Sequence, residues 1–280
     1  MARNDSSARS SLDLASLLGL LLGFGGILGG LLLEGGRITD VAQMTGAIIV
    51  LSGTFGAVMV TTPAGIFVGA LSKIKLVLIE PRYPVAPIIE EIVDLSNRAR
   101  RGGIVSLEPD VDRIDDPFLR KALSLGVDGT DLEDLRRMME LDLEMEETRG
   151  RAEAKVFESA GGYAPTIGII GAVLGLIQVM KNLQDIDKVG HGIAVAFVAT
   201  VYGVGLANLL FLPAASKLRA RMERSIQIRE MMLEGVCSIV QGLHPKVIER
   251  KLESWAQGSV AKGRTGQGRP RAARLAEEQA

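Results

Sequence analysis

Two long stretches without a single charged side chain constrain this sequence more than any other feature. They occupy residues 163–180 and 192–213, inside the longer blocks 161–180 and 191–213. A run of about 20 apolar residues is what an α-helix needs to cross a bilayer core of roughly 30 Å. At helical spacing Ala164, Gly168, Gly171 and Gly175 fall on one face of the first block, and Gly192, Ala196, Ala199, Gly203 and Ala207 on one face of the second. Faces of this kind let two backbones approach closely in lipid, where packing drives helix association.

Two further apolar blocks precede them. Leu14–Leu33 is studded with glycine and is longer than a signal-peptide core, so it reads as a first spanning helix. Residues 41–71 form a second, with Thr54, Thr61, Thr62 and Pro63 predicting a kink near its end and threonine hydroxyls bonded back to carbonyls. Lys73, Lys75 and Arg82 follow the second block and Lys217, Arg219 and Arg221 follow the fourth. The hairpins 34–40 and 181–190 hold only Arg37, Lys181 and Lys188 as bases. By the positive-inside rule both termini and the middle segment lie in the cytoplasm. The expected fold is an all-α membrane protein: four transmembrane helices, N-in and C-in, a helical cytoplasmic domain between helices 2 and 3, and a C-terminal cytoplasmic helix.

The middle segment predicts one helix over 84–101, ended by Gly102 and Gly103, and a second from Thr130, where Thr130 and Glu133 suit a capping box. No stop signal intervenes before Gly161, so this helix runs on into the third span, and the fourth continues to about residue 241. A last helix covers 245–255. The expected division is 1–11 an N-terminal extension, 12–71 the first two spans, 72–160 the cytoplasmic domain, 161–215 the last two spans, 216–256 the C-terminal helices and 257–280 a disordered tail.

The chemistry is defined by what is missing. No Asp, Glu, Lys or Arg lies well inside any apolar block, although such groups mark intramembrane ion relays. Alone, the chain is either a passive scaffold or one wall of a path whose carboxylate another protein supplies. Thr166, Gln178, Thr200, Tyr202 and Asn208 are the polar groups left in that wall. The bland role for Thr200 is a hydroxyl bonded to the carbonyl four residues back. Pro165 removes the donor for the Gly161 carbonyl, and with Gly161 and Gly162 it makes a candidate hinge. No metal-ligand cluster, phosphate loop or nucleophile constellation is present, which excludes the usual enzyme classes and calls for no cofactor. A net charge of −1 implies no nucleic-acid partner, and the lone Cys237 precludes an internal disulfide.

The segments LDLASLLGL, RARRGGIVSLEPDVD, YAPTIGIIGAVLGLI and FVATVYGVGLAN resemble the flagellar stator subunits of the MotA/PomA branch, within the wider family that includes the proton-channel subunits TolQ and ExbB. The resemblance covers residues 12–255. It implies a homopentamer surrounding two copies of a single-span partner, MotB, whose aspartate faces the third and fourth helices. It also implies a cytoplasmic loop that engages the rotor protein FliG, and residence in the bacterial inner membrane. Matched by motif, the loop pair is Arg100 and Glu108, the third-helix proline is Pro165, the C-terminal proline is Pro245 and the ion-path threonine is Thr200. Sodium-driven relatives have a threonine where this chain has Ala172. Losing that oxygen ligand disfavours a dehydrated Na⁺, so the expected ion is H⁺. A TolQ-like or ExbB-like subunit energising an outer-membrane system, and a non-conducting scaffold, are the alternatives.

Overall fold

The computed structural model describes residues 11–80 and 84–265. Residues 1–10 of the expected extension and 266–280 of the expected tail lie outside the described residues. Helices dominate: α1 (Leu14–Leu33), α2 (Ile38–Val41), α3 (Met44–Thr61), α4 (Ala64–Ser72), α5 (Lys75–Leu78), α6 (Val85–Gly102), α7 (Glu108–Val111), α8 (Pro117–Val127), α9 (Leu132–Lys181), α10 (Ile186–Leu206), α11 (Leu212–Val240) and α12 (Pro245–Thr265). A 3₁₀ turn, Ile104–Leu107, joins α6 to α7. Four helical stretches are long and apolar enough to cross a membrane: Leu14–Leu33, Met44–Thr61, part of Leu132–Lys181 and part of Ile186–Val240.

Glycine sets several ends. After α1, α8 and α11, Gly35, Gly129 and Gly242 adopt φ values of 82°, 78° and 71°, conformations that cost a glycine nothing. At each, the glycine N–H donates three residues back and the next N–H five residues back, as in Gly242 to Ile239 and Leu243 to Ser238. This pairing satisfies carbonyls that the helix end would orphan. Proline sets the internal joints. The expected kink falls at Thr62–Pro63, between α3 and α4. Pro213 has no N–H for the Leu209 carbonyl, and just before it the helix widens into a π turn over Ala207–Phe211, with the Leu212 N–H reaching Ala207.

Several expectations change. The N-terminal cap of α9 is Asp131 rather than Thr130: its carboxylate accepts from the Glu133 N–H at 3.0 Å, because the Thr130 N–H is already spent closing the turn after α8. Thr61 bonds back to Ala57 and Val58, but the Thr54 hydroxyl is buried without a hydrogen-bond partner among the described residues. The last helix continues to Thr265 instead of giving way near residue 257. The fourth span begins earlier than residue 191, since Asp185 caps α10 by accepting from the Lys188 N–H. An antiparallel two-residue pair, β1 (Ser11–Leu12) with β2 (Ile79–Glu80), interrupts the all-α pattern.

The chain divides into two compact units, the first drawn from Met1–Arg82 and Glu147–Met222, the second from Tyr83–Glu146 and Glu223–Ala280. In the first, Val58, Phe157, Phe211 and Leu218 belong to one buried cluster, and Phe55 meets Phe67 and Phe211 edge-on at 6.3 and 5.9 Å. Helix α1 contributes no buried residue, and Asp13 ties its start down. The Asp13 carboxylate, 8% exposed, caps α1 by accepting from Ser16, and it also takes Lys217 and, at 2.9 Å, Arg221. Arg221 further donates to the Ile79 carbonyl, and the Asp13 N–H to that of Leu78. A second buried carboxylate, Glu153, lies between Lys73 at 2.5 Å and Arg149 at 3.2 Å. In the second unit Ile92, Leu119, Leu135, Met231, Ile248 and Leu252 are fully buried, and α12 lies against α6.

The hydrogen bond from Lys217 holds the Asp13 carboxyl well below the usual carboxylate range, against the cost of burying it. A depressed pKa contributes stability at neutral pH that is lost only as pH falls below that usual range. Asp13→Asn keeps a good helix cap and removes the charge. It is expected to cost roughly 2 kcal/mol, because Lys217 reaches solvent and softens the loss. Thermal unfolding of the purified chain in detergent checks this: the midpoint falls at pH 7, and the gap to the parent narrows in acid.

Candidate functional site

The two charge-free segments meet backbone to backbone. A Cβ added to Gly203 would sit 2.5 Å from the Ala164 carbonyl oxygen, one on Gly168 would lie 2.9 Å from that of Ala199, and one on Gly175 would lie 2.7 Å from that of Gly192. Only hydrogen fits at these points. The expected seam is therefore real and runs the length of the α9–α10 contact, and α3 lies along it, with Gly46 against Ala199 and Gly53 against Ile167. Tyr202 locks the entry to α3, accepting from the Gln43 N–H and donating to the Val41 carbonyl.

Around this seam lie three of the residues singled out from sequence. Thr200 is half-buried, and its Cα faces Gly168, three residues beyond Pro165. Its hydroxyl donates to the Ala196 carbonyl at 3.2 Å, leaving the oxygen lone pairs available to a passing donor. Ala172, half-buried, lies one turn past Gly168. Pro165 sits inside the unbroken α9, and next to it Thr166 donates to the Tyr163 carbonyl at 2.8 Å. Gly161 is buried, and a Cβ there would press on Leu212 at 2.6 Å, whereas Gly162 faces open space. Gly161 thus has a packing reason to be glycine that the hinge reading did not anticipate.

The other candidates belong to the second unit. Arg100, near the end of α6, and Glu108, at the start of α7, are exposed, and none of the ion pairs among the described residues uses either. Their neighbour Arg98 is committed to Asp94 and, at 2.7 Å, to Asp110. The turn between Arg100 and Glu108 is fixed by Gly103, whose φ of 81° and ψ of 165° suit glycine alone, and by the fully buried Leu107. Pro245 is buried and opens α12 immediately after the Gly242 turn.

Sequence reasoning missed Asp13 and Glu153, whose partners in the chain are remote, and the anchoring role of Tyr202. Among the described residues no group of three or more His, Cys, Asp or Glu is placed to hold a metal ion.

Residues 110–231 match the family model described as the MotA/TolQ/ExbB proton channel family. The chain is 35% identical to "Motility protein A" of Bacillus subtilis, over 86% of this chain and 90% of that protein. It is 33% identical to "Chemotaxis protein PomA" of Vibrio alginolyticus, over 87% and 95% respectively. Its fold superimposes on the solved structure of C. jejuni MotAB with a TM-score of 0.82 and 30% identity, covering 87% of this chain and 96% of that one. The flagellar MotAB stator complex of Bacillus subtilis gives 0.77 and 36%, covering 86% and 94%.

The seam yields a direct comparison of two nearby glycines. Gly203→Ala should destabilise the chain by about 1–3 kcal/mol, the usual cost of overpacking. Gly205→Ala, where nothing lies within 4 Å, should be neutral or slightly stabilising. Unfolding midpoints of the two variants in the same detergent check this.

Proposed function

This chain belongs to the MotA/TolQ/ExbB proton channel family, and from that premise we propose that it is the ring-forming membrane subunit of a flagellar stator. In this reading it assembles with a MotB-like partner, and ion flow through the complex becomes torque on the rotor. One observation carries the mechanism: the charge-free stretches 163–180 of α9 and 192–206 of α10 are close-packed, are of bilayer-spanning character and hold no carboxylate. A path beside it needs an acid from elsewhere, and the partner's intramembrane aspartate would fill that need. Two solved structures similar to this chain are of MotAB complexes.

The finer arrangement follows. Both termini face the cytoplasm and the chain sits in the bacterial inner membrane, five copies around two of the partner. Pro165 and Thr200 serve the ion path. The Thr200 hydroxyl, tied to Ala196, offers an oxygen to a proton carrier, and Ala172 withholds a second, which favours H⁺ over Na⁺. Gly161, Gly162, Pro165 and Pro245 transmit the movement. Arg100 and Glu108, free of partners in their own chain among the described ion pairs, meet FliG through exposed charge that engages without holding. A TolQ-like or ExbB-like role is disfavoured by the two spans α1 and α3 that precede the middle segment. The chain acts as an ion-coupled force generator, not as an enzyme.

Expression of variants with the partner in a strain lacking its own stator tests this. Thr200→Ala and Pro165→Leu should abolish swimming at normal membrane levels, while Arg100→Glu with Glu108→Lys should cut torque and leave proton uptake intact. Normal swimming in all of these variants would overturn the reading, and speed that follows sodium and ignores a protonophore would overturn the choice of ion.

A further inference from the structure

At the ends of α9 and α10, beside the start of α3, lies a cleft of about 570 Å³. Its lining combines the polar Lys181, Asn182, Lys188 and His191, at the helix ends, with an apolar wall of Ile49, Leu174 and Ile177. No carboxylate lines it, although Asp185 and Asp187 stand in the same hairpin. Asp185 pairs with Lys188 at 2.9 Å on the exposed side, which leaves further ammonium N–H donors for a ligand. Lys181 enters no ion pair among the described residues, so its donors are uncommitted. The polar lining therefore offers donors to an acceptor-rich, negatively charged group, while the wall offers apolar surface.

Two features decide what that ligand is. The wall residues Leu174 and Ile177 are themselves 46% and 43% exposed, so the cleft opens sideways onto the apolar belt. Met180, Leu183 and Ile186, exposed by 69%, 61% and 84%, belong to the adjoining end of α9, the hairpin and the start of α10, where a bilayer's polar–apolar boundary would lie. A small soluble anion would use the donors and leave the apolar wall wet.

We propose that this cleft binds an anionic phospholipid, its phosphate against Lys181, Lys188 and His191 and one acyl chain along Ile49, Leu174 and Ile177. The proposal rests on the spanning reading of α9 and α10 and on no part of the torque mechanism. The bound lipid would fill the α3–α9–α10 junction next to the seam and brace it in lipid.

The test uses the full chain with its partner, extracted from vesicles of equal phosphatidylglycerol and phosphatidylcholine and examined by native mass spectrometry. The parent should retain phosphatidylglycerol with roughly thirtyfold preference, about what two lysines contribute toward an anionic headgroup. Lys181→Gln with Lys188→Gln should bring that preference near parity, and Lys246→Gln, on exposed α12, should not. In the parent, phosphatidylglycerol carrying a photoreactive acyl chain should label peptides containing Leu174 or Ile177, which decides the matter even if the double variant fails to assemble. An unchanged preference in an assembled double variant, displacement by inorganic phosphate alone, or labelling only elsewhere would overturn the proposal. So would capture of the cleft by an acidic segment of the partner. Loss of swimming with lipid retention intact would count against the stator reading and leave this one standing.

Discussion

Everything in the first unit depends on the contact between two backbones. Where the carbonyls of Ala164, Ala199 and Gly192 lie within 3 Å of the place a Cβ would take on Gly203, Gly168 and Gly175, side chains have been removed from the interface. Dispersion between closely packed main chains then replaces the hydrophobic effect, which has little force between helices in lipid. The same closeness leaves no room for a charged side chain along the seam. A wall of this kind is rigid, apolar and continuous, and its residual chemistry is confined to hydroxyls and carbonyls such as those of Thr200 and Ala196.

Charge is placed instead at the ends of the spans, and two of the carboxylates there are buried and paired. Asp13 gathers Ser16, Lys217 and Arg221, and Glu153 gathers Lys73 and Arg149. A carboxylate at 8% or 1% exposure without its cations would be costly, so each cluster fixes where its helices start relative to one another. For α1, which otherwise presents its leucines outward, Asp13 is the principal tie. The π turn at Ala207–Phe211 follows the same logic from the other direction: a proline removes a donor, and the backbone adjusts within an apolar run where an unpaired carbonyl is expensive.

The spans were legible because their signal is local. Twenty uncharged residues, a four-residue rhythm of glycine and alanine, and the glycines Gly102 and Gly103 at the end of α6 can be read without knowing what lies across from them. The seam was legible for the same reason as one small-residue face on each helix, while the pairing of Gly168 and Gly175 with α10 was not. The roles of Asp13 and Glu153 were not, since Lys217 and Lys73 are 204 and 80 residues distant and nothing local says that a charge will be covered. Asp131 displaced Thr130 as the cap of α9 because the turn after α8 had already claimed the Thr130 amide. The glycines at 161 and 162 looked alike in sequence, and only packing separates the one pressed on Leu212 from the one in open space.

In the proposed function this wall moves protons only beside an acid brought by another polypeptide. The most direct measurement reconstitutes the purified chain in vesicles, with and without the proposed MotB-like partner, and follows internal pH under an imposed membrane potential. The chain alone should leak no faster than empty vesicles, the complex should acidify them, and replacement of the proposed partner's intramembrane aspartate by asparagine should return the rate to background. Proton entry through the chain by itself at the rate of the complex would contradict this proposal.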